Sequence, residues 1–157
     1  ASGTSVTLGL TDPDSSTVVP GDAPRFGRDF MLDSQGDLEQ IYARDPLAAH
    51  PHLSVLTLTQ SVDDTVFATS ADGVIYATDS TDDTVDVLTG SFSDGEAIVA
   101  ATPCGANDAP PVCPQLPAFP PNYVGELDLF TGTVTQLVVT GAGFVPQGGL
   151  YFSRSVR

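Results

Sequence analysis

The segment TVFATSADGVIYATDSTDDTVDVL, residues 65–88, sets the expectation for the whole fold. Runs rich in β-branched and aromatic residues, at 65–70, 74–79 and 84–89, alternate with turns of Asp, Gly, Ser and Thr. The glycine of the turn at 71–73 supplies the positive φ angle that a tight hairpin needs. The sequence therefore predicts a meander of three antiparallel strands.

The same pattern recurs along the chain. The run IYARD at 41–45 returns as IYATD at 75–79, 34 residues later, and a looser copy, GELD, occupies 125–128. Small antiparallel sheets repeated every ~32 to 50 residues are typical of a β-propeller. The aspartate that ends each run keeps its place, which indicates a structural role such as accepting hydrogen bonds from the backbone of the next turn.

Two hairpins resemble those of known propeller families. VIYATDS at 74–80, followed by DTVDVL at 83–88, resembles the hydrophobic-aromatic-x-x-Asp-Ser hairpin of NHL and SMP-30/lactonase-like blades. ELDLFTGTV at 126–134 resembles the Asp-x-x-Thr-Gly-x-Val hairpin of YncE-like and quinoprotein-type blades. The resemblance covers about residues 29–152 and implies an all-β fold of antiparallel propeller blades. The alternative is a β-sandwich built of hairpins.

We expect about three full blades and two half-blades. The expected units are 1–27 as the outer strand of a preceding blade plus a linker, 28–60, 61–94 and 95–141 as blades, and 142–157 as the first strand of a following blade. The third blade would carry a Cys- and Pro-rich insertion at 103–121. A closed propeller has about four blades or more. The open blades should therefore pack against the remainder of the same propeller or against a second copy of the chain.

Composition excludes several classes of protein. The chain has 20 acidic residues, five arginines and no lysine, for a formal charge of -15. Nucleic-acid binding depends on cations that displace counterions, so no nucleic-acid partner is expected. The longest apolar run, 97–101, is far short of the ~18 residues of a membrane span. A hydrophobic content of 41% argues against disorder.

The two cysteines point to a cellular compartment. Cys104 and Cys113 lie nine residues apart in a proline-rich segment, without the further Cys or His of a zinc site nearby. We predict a local disulfide, with two free thiols as the alternative. A disulfide belongs to an oxidising compartment. Together with the absence of lysine and a first residue, Ala1, that is not Met, it predicts a processed protein, secreted or at the cell surface. Adaptation to salt would also fit this composition.

Aspartates cluster in one turn of the 61–94 copy. Asp79, Asp82, Asp83 and Asp86 lie within eight residues, and hard oxygen ligands of this kind suit Ca²⁺. Aspartate is also a favoured turn residue in its own right. The sequence thus leaves two interpretations open, a calcium site and plain turn chemistry.

The insertion offers a candidate recognition loop. Phe119, Asn122 and Tyr123 stand at the end of a proline-rich segment that the disulfide would pin. Loops held on a rigid scaffold often carry binding residues. A surface loop without a partner is the alternative.

No catalytic constellation is visible in the sequence. The two histidines, His50 and His52, flank a proline in a loop, and no nucleophile motif is present. We therefore expect a non-enzymatic binding or structural module. The resemblance to SMP-30-like blades implies an alternative, a divalent-metal-dependent hydrolase or lactonase with its metal on the propeller axis. A further alternative is an enzyme subunit whose site is completed by missing blades.

Overall fold

The structure is a computed structural model that describes residues 7–103, 122–138, 144–147 and 149–154. Within these ranges the chain is all-β and antiparallel, as predicted, and no helix is long or apolar enough to cross a membrane. A single 3₁₀ turn, Gln35–Asp37, accompanies the strands. The strands are β1 Pro13–Val18, β2 Phe30–Ser34, β3 Glu39–Arg44, β4 His52–Thr57, β5 Ser61–Phe67, β6 Asp72–Asp79, β7 Thr84–Ser91, β8 Ala97–Thr102, β9 Tyr123–Leu127, β10 Val134–Val138 and β11 Leu150–Arg154.

The first sheet is a four-stranded meander in the order β1-β2-β3-β4. Its register places Phe30 opposite both Val18 and Ala43, and Ala43 opposite Leu53. Strand β1 lies in the stretch expected to be a linker. It begins at a proline and runs along the edge of the sheet, where a missing N–H donor is tolerated.

The middle sheet and the third sheet are interleaved in the sequence. The middle sheet has the order β5-β8-β9-β10 and the third sheet has the order β7-β6-β11. The hairpin of β6 and β7 forms as predicted, but β5 pairs with β8 and not with β6. The expected meander over 65–88 is therefore wrong at its first turn, because residues 68–71 carry the chain from one sheet to the next.

Burial explains this exchange of partners. All six residues of β8 are buried, so β8 needs cover on both of its faces and pairs with the largely buried β5. Strand β6 alternates buried and exposed residues, which is the pattern of a strand with one covered face. The β5–β8 pair therefore belongs to an inner layer and β6 to an outer one.

Three layers result, with the middle sheet between the other two. Phe67 and Val99 point from the middle sheet into a core shared with the first sheet, where Met31 and Tyr42 are fully buried. On the opposite face Ile98 packs into a second core. The third sheet contributes to that core Ile75, Ala77 and Leu150.

The sheets also meet along one edge. Strand β5 contacts β1 and β11, which are edge strands of the first and third sheets. We call this region the inner edge. The three sheets are stacked without closing into a ring, an arrangement shared by a run of propeller blades and by a layered sandwich.

A tight turn fastens the middle sheet to the first sheet. Gly132, at φ +74°, lies so close to β4 that an added Cβ would stand 1.9 Å from the Thr57 carbonyl oxygen. The Thr59 amide donates to the Gly132 carbonyl at 3.0 Å, and the Val134 amide donates to Thr59 Oγ1 at 2.9 Å. Only glycine meets both the positive φ angle and the close approach.

Candidate functional site

Carboxylates gather at the inner edge. Asp14 of β1 and Asp63 and Asp64 of β5 line a small open cavity of about 180 Å³, together with Ser15 and Gly149. The register of β5 shifts between Val62 and Asp64. Such a bulge re-aims side chains, and both adjacent aspartates reach the cavity.

Asp14 lies within hydrogen-bonding distance of Asp63 and favours its protonated form. The pKa of Asp14 is raised from 3.8 to about 6, first by partial burial and then by the negative charge of Asp63 and a hydrogen bond to it. The charges of Asp12 and Asp64 raise this pKa further. A protonated Asp14 can donate to Asp63, whereas two charged carboxylates would repel one another.

Asp64 joins two sheets through its carboxylate. Its Oδ2 accepts a hydrogen bond from the Leu150 amide of β11 at 2.5 Å. Its Oδ1 accepts from the Thr65 amide at 2.8 Å. Both oxygens are therefore engaged by backbone donors, and the carboxylate holds β11 against β5.

A second titratable group, Asp33 of β2, lies buried beneath the cluster. Its carboxylate accepts hydrogen bonds from Ser15 Oγ at 2.7 Å and from Gln40 Nε2 at 2.6 Å. The Thr65 hydroxyl also bonds to it, and the Tyr42 hydroxyl donates to Gln40 Oε1. Burial raises the pKa of Asp33 to about 7 against the opposing effect of its hydrogen bonds.

The carboxylates of this arrangement join strands, and the cavity that they line is small. A cavity of about 180 Å³ is below the ~300 to 1,000 Å³ typical of small-molecule pockets. Within the described residues, no group of three or more His, Cys, Asp or Glu is placed to hold a metal ion. The cluster therefore does not fit the metal that a hydrolase of SMP-30-like type would need.

The sequence did not single out Asp14 and Asp33 as site residues. What brings these residues together is the contact of β1 with β5. That contact joins segments about 50 residues apart, and no local pattern records it.

The predicted aspartate turn has a clear structural role. Asp79 is buried at the end of β6, and its Oδ1 accepts from the amides of Thr81 at 2.9 Å and Val145 at 3.3 Å. Asp82 and Asp83 follow as exposed residues of this turn, with Asp83 at φ +54°, whereas Asp86 is a half-buried residue of β7 that pairs with Ala77. The carboxylate of Asp79 supports backbone turns, and calcium binding by the four residues stays a prediction.

Asp128 repeats this role in the next copy. Its Oδ1 accepts from the Phe130 amide, its Oδ2 accepts from Thr131 Oγ1, both at 2.8 Å, and these bonds lower its pKa. The prediction that the recurring aspartates serve the backbone of the following turn is confirmed for Asp79 and Asp128.

The predicted recognition loop lies mainly outside the described residues, as do Cys104, Cys113 and Phe119. The disulfide therefore stays a prediction. Asn122 is half-buried, and its Oδ1 has no hydrogen-bond partner in the described part of the chain. Tyr123 is only 4% exposed and belongs to the core of β9, which corrects the prediction of an aromatic residue available at the surface.

Larger candidate surfaces lie on the outside of the stack. The outward side of the first sheet, which we call the rear face, exposes Val18, Phe30, Leu53 and Val55. The register puts these side chains on one side, opposite to Met31 and Tyr42 in the core. Of the strand residues described on the rear face, Glu39 alone is charged.

The outward side of the third sheet, which we call the front face, has the same character. Tyr76 lies opposite Val87 on one side and Tyr151 on the other, and the two tyrosine rings are 6.4 Å apart. Val85 is exposed beside them. Asp72 is the one charged side chain among the described strand positions of the front face.

The acidic residues of the chain collect elsewhere. A cleft of about 410 Å³ runs between the loop at 20–25, the turn at 93–96 and strand β9. Its carboxylates are those of Asp22, Asp94, Glu96, Glu126 and Asp128. Arg25 reaches across its end and donates to the carbonyl oxygens of Leu129 and Phe130 at 3.0 and 3.2 Å. Among the described residues, negative charge is thus concentrated in the cleft, the turns and the inner edge, and the described strand positions of each outer face carry a single charged side chain.

Comparison with known proteins gives no relative. No protein-family model, no curated protein and no solved structure matches the chain.

Proposed function

We propose that the chain is a non-enzymatic binding or structural module, a segment of β-propeller type that packs its two outer sheet faces against further β-sheets. The observation that carries this proposal is the near absence of charge on the rear and front faces of a strongly acidic protein. A sheet face meant for water normally alternates with polar and charged side chains.

The energetics favour coverage of both faces. Burying one side chain such as Val, Leu or Phe stabilises a protein by roughly 1.5–3 kcal/mol. Val55, Val87 and Tyr151 are 54%, 58% and 66% exposed. Covering these side chains in an interface would therefore gain a large part of their burial free energy. Contiguous apolar patches of this kind mark interaction sites in soluble proteins.

The middle sheet supports the same interpretation. It is covered on both faces by apolar side chains of its neighbours, and β8 is buried throughout. One further sheet on each side would cover the two outer sheets on both faces, as the middle sheet is covered now. We place this assembly outside the cell or at its surface, on the composition and the predicted disulfide, and we expect no nucleic-acid partner.

Charged substitutions on the two faces test the proposal. Val55→Glu on the rear face and Tyr151→Glu on the front face should each lower the mass of the assembly measured by light scattering. The matched control is Leu47→Glu, because Leu47 is 99% exposed in the loop between β3 and β4 and lies on neither face. Both face variants should keep the far-ultraviolet signal of a β-protein. A mass and an ANS fluorescence unchanged by both face substitutions would contradict the proposal.

A further inference from the structure

We propose that two copies of this chain join head to tail, with the front face of each copy packed on the rear face of the other, so that six sheets close into one ring. The inference rests on the proposed function and names the partner of the two faces. It is argued from the way in which the sheets already pack inside one chain.

Both interfaces inside the chain stack the sheets in the same alignment, because the edge strands β1, β5 and β11 all lie at the inner edge. The first sheet presents its inward side, with Met31 and Tyr42, to the side of the middle sheet that bears Phe67. The middle sheet presents its opposite side, with Ile98, to the inward side of the third sheet, with Ile75. We call the side of a sheet that faces the next sheet in chain order its forward side, and the opposite side its backward side. Each contact thus joins the forward side of one sheet to the backward side of the next.

The two contacts inside the chain leave the rear face and the front face uncovered. Packed together, these two faces would form a further contact of the same kind. The rear face is the backward side of the first sheet, and the front face is the forward side of the third sheet. A front-to-rear contact between two copies would therefore continue the packing seen twice within the chain. A rear-to-rear or front-to-front contact would have no counterpart in the molecule.

The number of sheets selects two copies. Propellers close with about four to eight blades. One copy supplies three sheets, two copies supply six and three copies supply nine. Only two copies fall within the range, and a two-fold axis then makes the two front-to-rear contacts identical.

The chemistry of the faces suits such a contact. The cores of protein interfaces are depleted of charge and enriched in aromatic residues. The front face offers the pair of Tyr76 and Tyr151, and the rear face offers Phe30 among Val and Leu side chains. With Glu39 and Asp72 as the charged strand residues described on the two faces, two chains of charge -15 can meet there without strong local repulsion.

A mixing experiment tests the pairing. The unmodified chain should have twice the 16.2 kDa mass of one copy in light scattering and native mass spectrometry. Val55→Glu alone damages the rear face in both contacts, and Val87→Glu alone damages the front face in both contacts. Each variant alone should therefore fall to the mass of one copy.

An equimolar mixture of the two variants should regain the dimer. In the mixed pair one contact holds both substitutions, and the other joins an intact front face to an intact rear face. The matched control is Val55→Glu mixed with a second rear-face variant, Leu53→Glu. This mixture should form no dimer, because both front-to-rear contacts of the pair then contain a damaged rear face. Retention of the dimer by one of the two single variants, or failure of the mixture to exceed the mass of its components, would overturn the head-to-tail pairing.

The state of the unmodified chain separates this inference from the proposed function. A folded single copy that binds ANS strongly, and loses that binding in the two face variants, would overturn pairing with a second copy and still support exposed faces that await other sheets. A folded single copy without ANS binding would overturn both. Far-ultraviolet circular dichroism on every variant verifies that the β-fold is kept.

Discussion

At the scale of single residues, the buried carboxyl of Asp33 has the clearest consequence. It is held by Ser15, Gln40 and Thr65 between the first and middle sheets, and its pKa is raised to about 7 by burial. In the unfolded chain its pKa should be near 3.8. Between these two pH values, Asp33 therefore holds its proton in the folded protein and loses it in the unfolded chain. Asp14 behaves in the same way up to about pH 6.

The sign of the resulting pH dependence is unusual. Stability should fall as pH rises from about 4 to about 7, because the unfolded chain ionises these carboxyls in this range while the native state still holds their protons. Asp33→Asn removes this titration and keeps a polar side chain of similar size. At pH 8 the free energy of unfolding of the variant, measured with urea, should exceed that of the unmodified protein by on the order of 3 kcal/mol, because the variant has no buried charge.

Asp37 provides the matched control for this prediction. Hydrogen bonds from Ser34 Oγ at 2.6 Å and from the Thr11 amide at 2.7 Å outweigh the effect of burial and lower the pKa of Asp37. Its contribution is present above the unfolded pKa and disappears as pH falls through the folded one. Asp37→Asn should therefore weaken the protein at pH 7 and leave it unchanged at low pH. Equal pH profiles for the two variants would contradict the assignment.

At the scale of elements, the strands and the hairpin of β6 and β7 were predictable, and the partner of β5 was not. The runs that became β3, β4, β6 and β7 carry the β-branched and aromatic residues that fit a pleated surface, and their turns carry Asp and Gly. Strand β5 pairs with β8 and not with the expected β6, because β8 is the strand that needs cover on both faces. That is decided by the assembled core and not by the turn between neighbouring strands.

Strand β1 and the inner-edge cluster show the same limit. The sequence PDSSTV at 13–18 reads as a polar linker, and it becomes a strand because β2 offers it an edge. The hydrogen-bonded pair of Asp14 and Asp63 then follows from the position of β1 beside β5. Neither could be derived from local composition. The bonds of Asp79 to Thr81 and of Asp128 to Phe130 could, because they lie within the turn that follows each residue, whereas the bond of Asp79 to Val145 could not.

The turn at Gly132 allows a sharp test of the contact between the first and middle sheets. Gly132→Ala places a Cβ against the Thr57 carbonyl and forces an unfavourable φ angle. We expect a loss of at least about 2 kcal/mol in the free energy of unfolding. Gly90→Ala serves as the control, because Gly90 has no positive φ and its nearest neighbour is the movable ring of Phe92 at 3.3 Å. Equal effects of the two changes would show that the close approach at Thr57 relaxes freely.

At the scale of the whole molecule, charge and apolar surface are segregated. A net charge of -15 opposes the compact state, and dissolved salt screens that repulsion. The midpoint of thermal unfolding should therefore rise with moderate NaCl at neutral pH. The measurement is the midpoint of thermal unfolding as a function of NaCl concentration. A midpoint that does not change with NaCl would contradict a role for self-repulsion.

The interleaving of the middle and third sheets has a consequence for biosynthesis. The first sheet uses four consecutive strands and can form as soon as β4 has left the ribosome. Strand β5 then waits for β8, and β6 keeps an open edge until β11 arrives, with Tyr76 paired to Tyr151 across most of the remaining chain. Such long-range pairing is slow and leaves strand edges unprotected meanwhile. The first sheet should therefore mature early and alone, the middle sheet should follow when β10 has been synthesised, and the third sheet should be completed only when translation reaches β11.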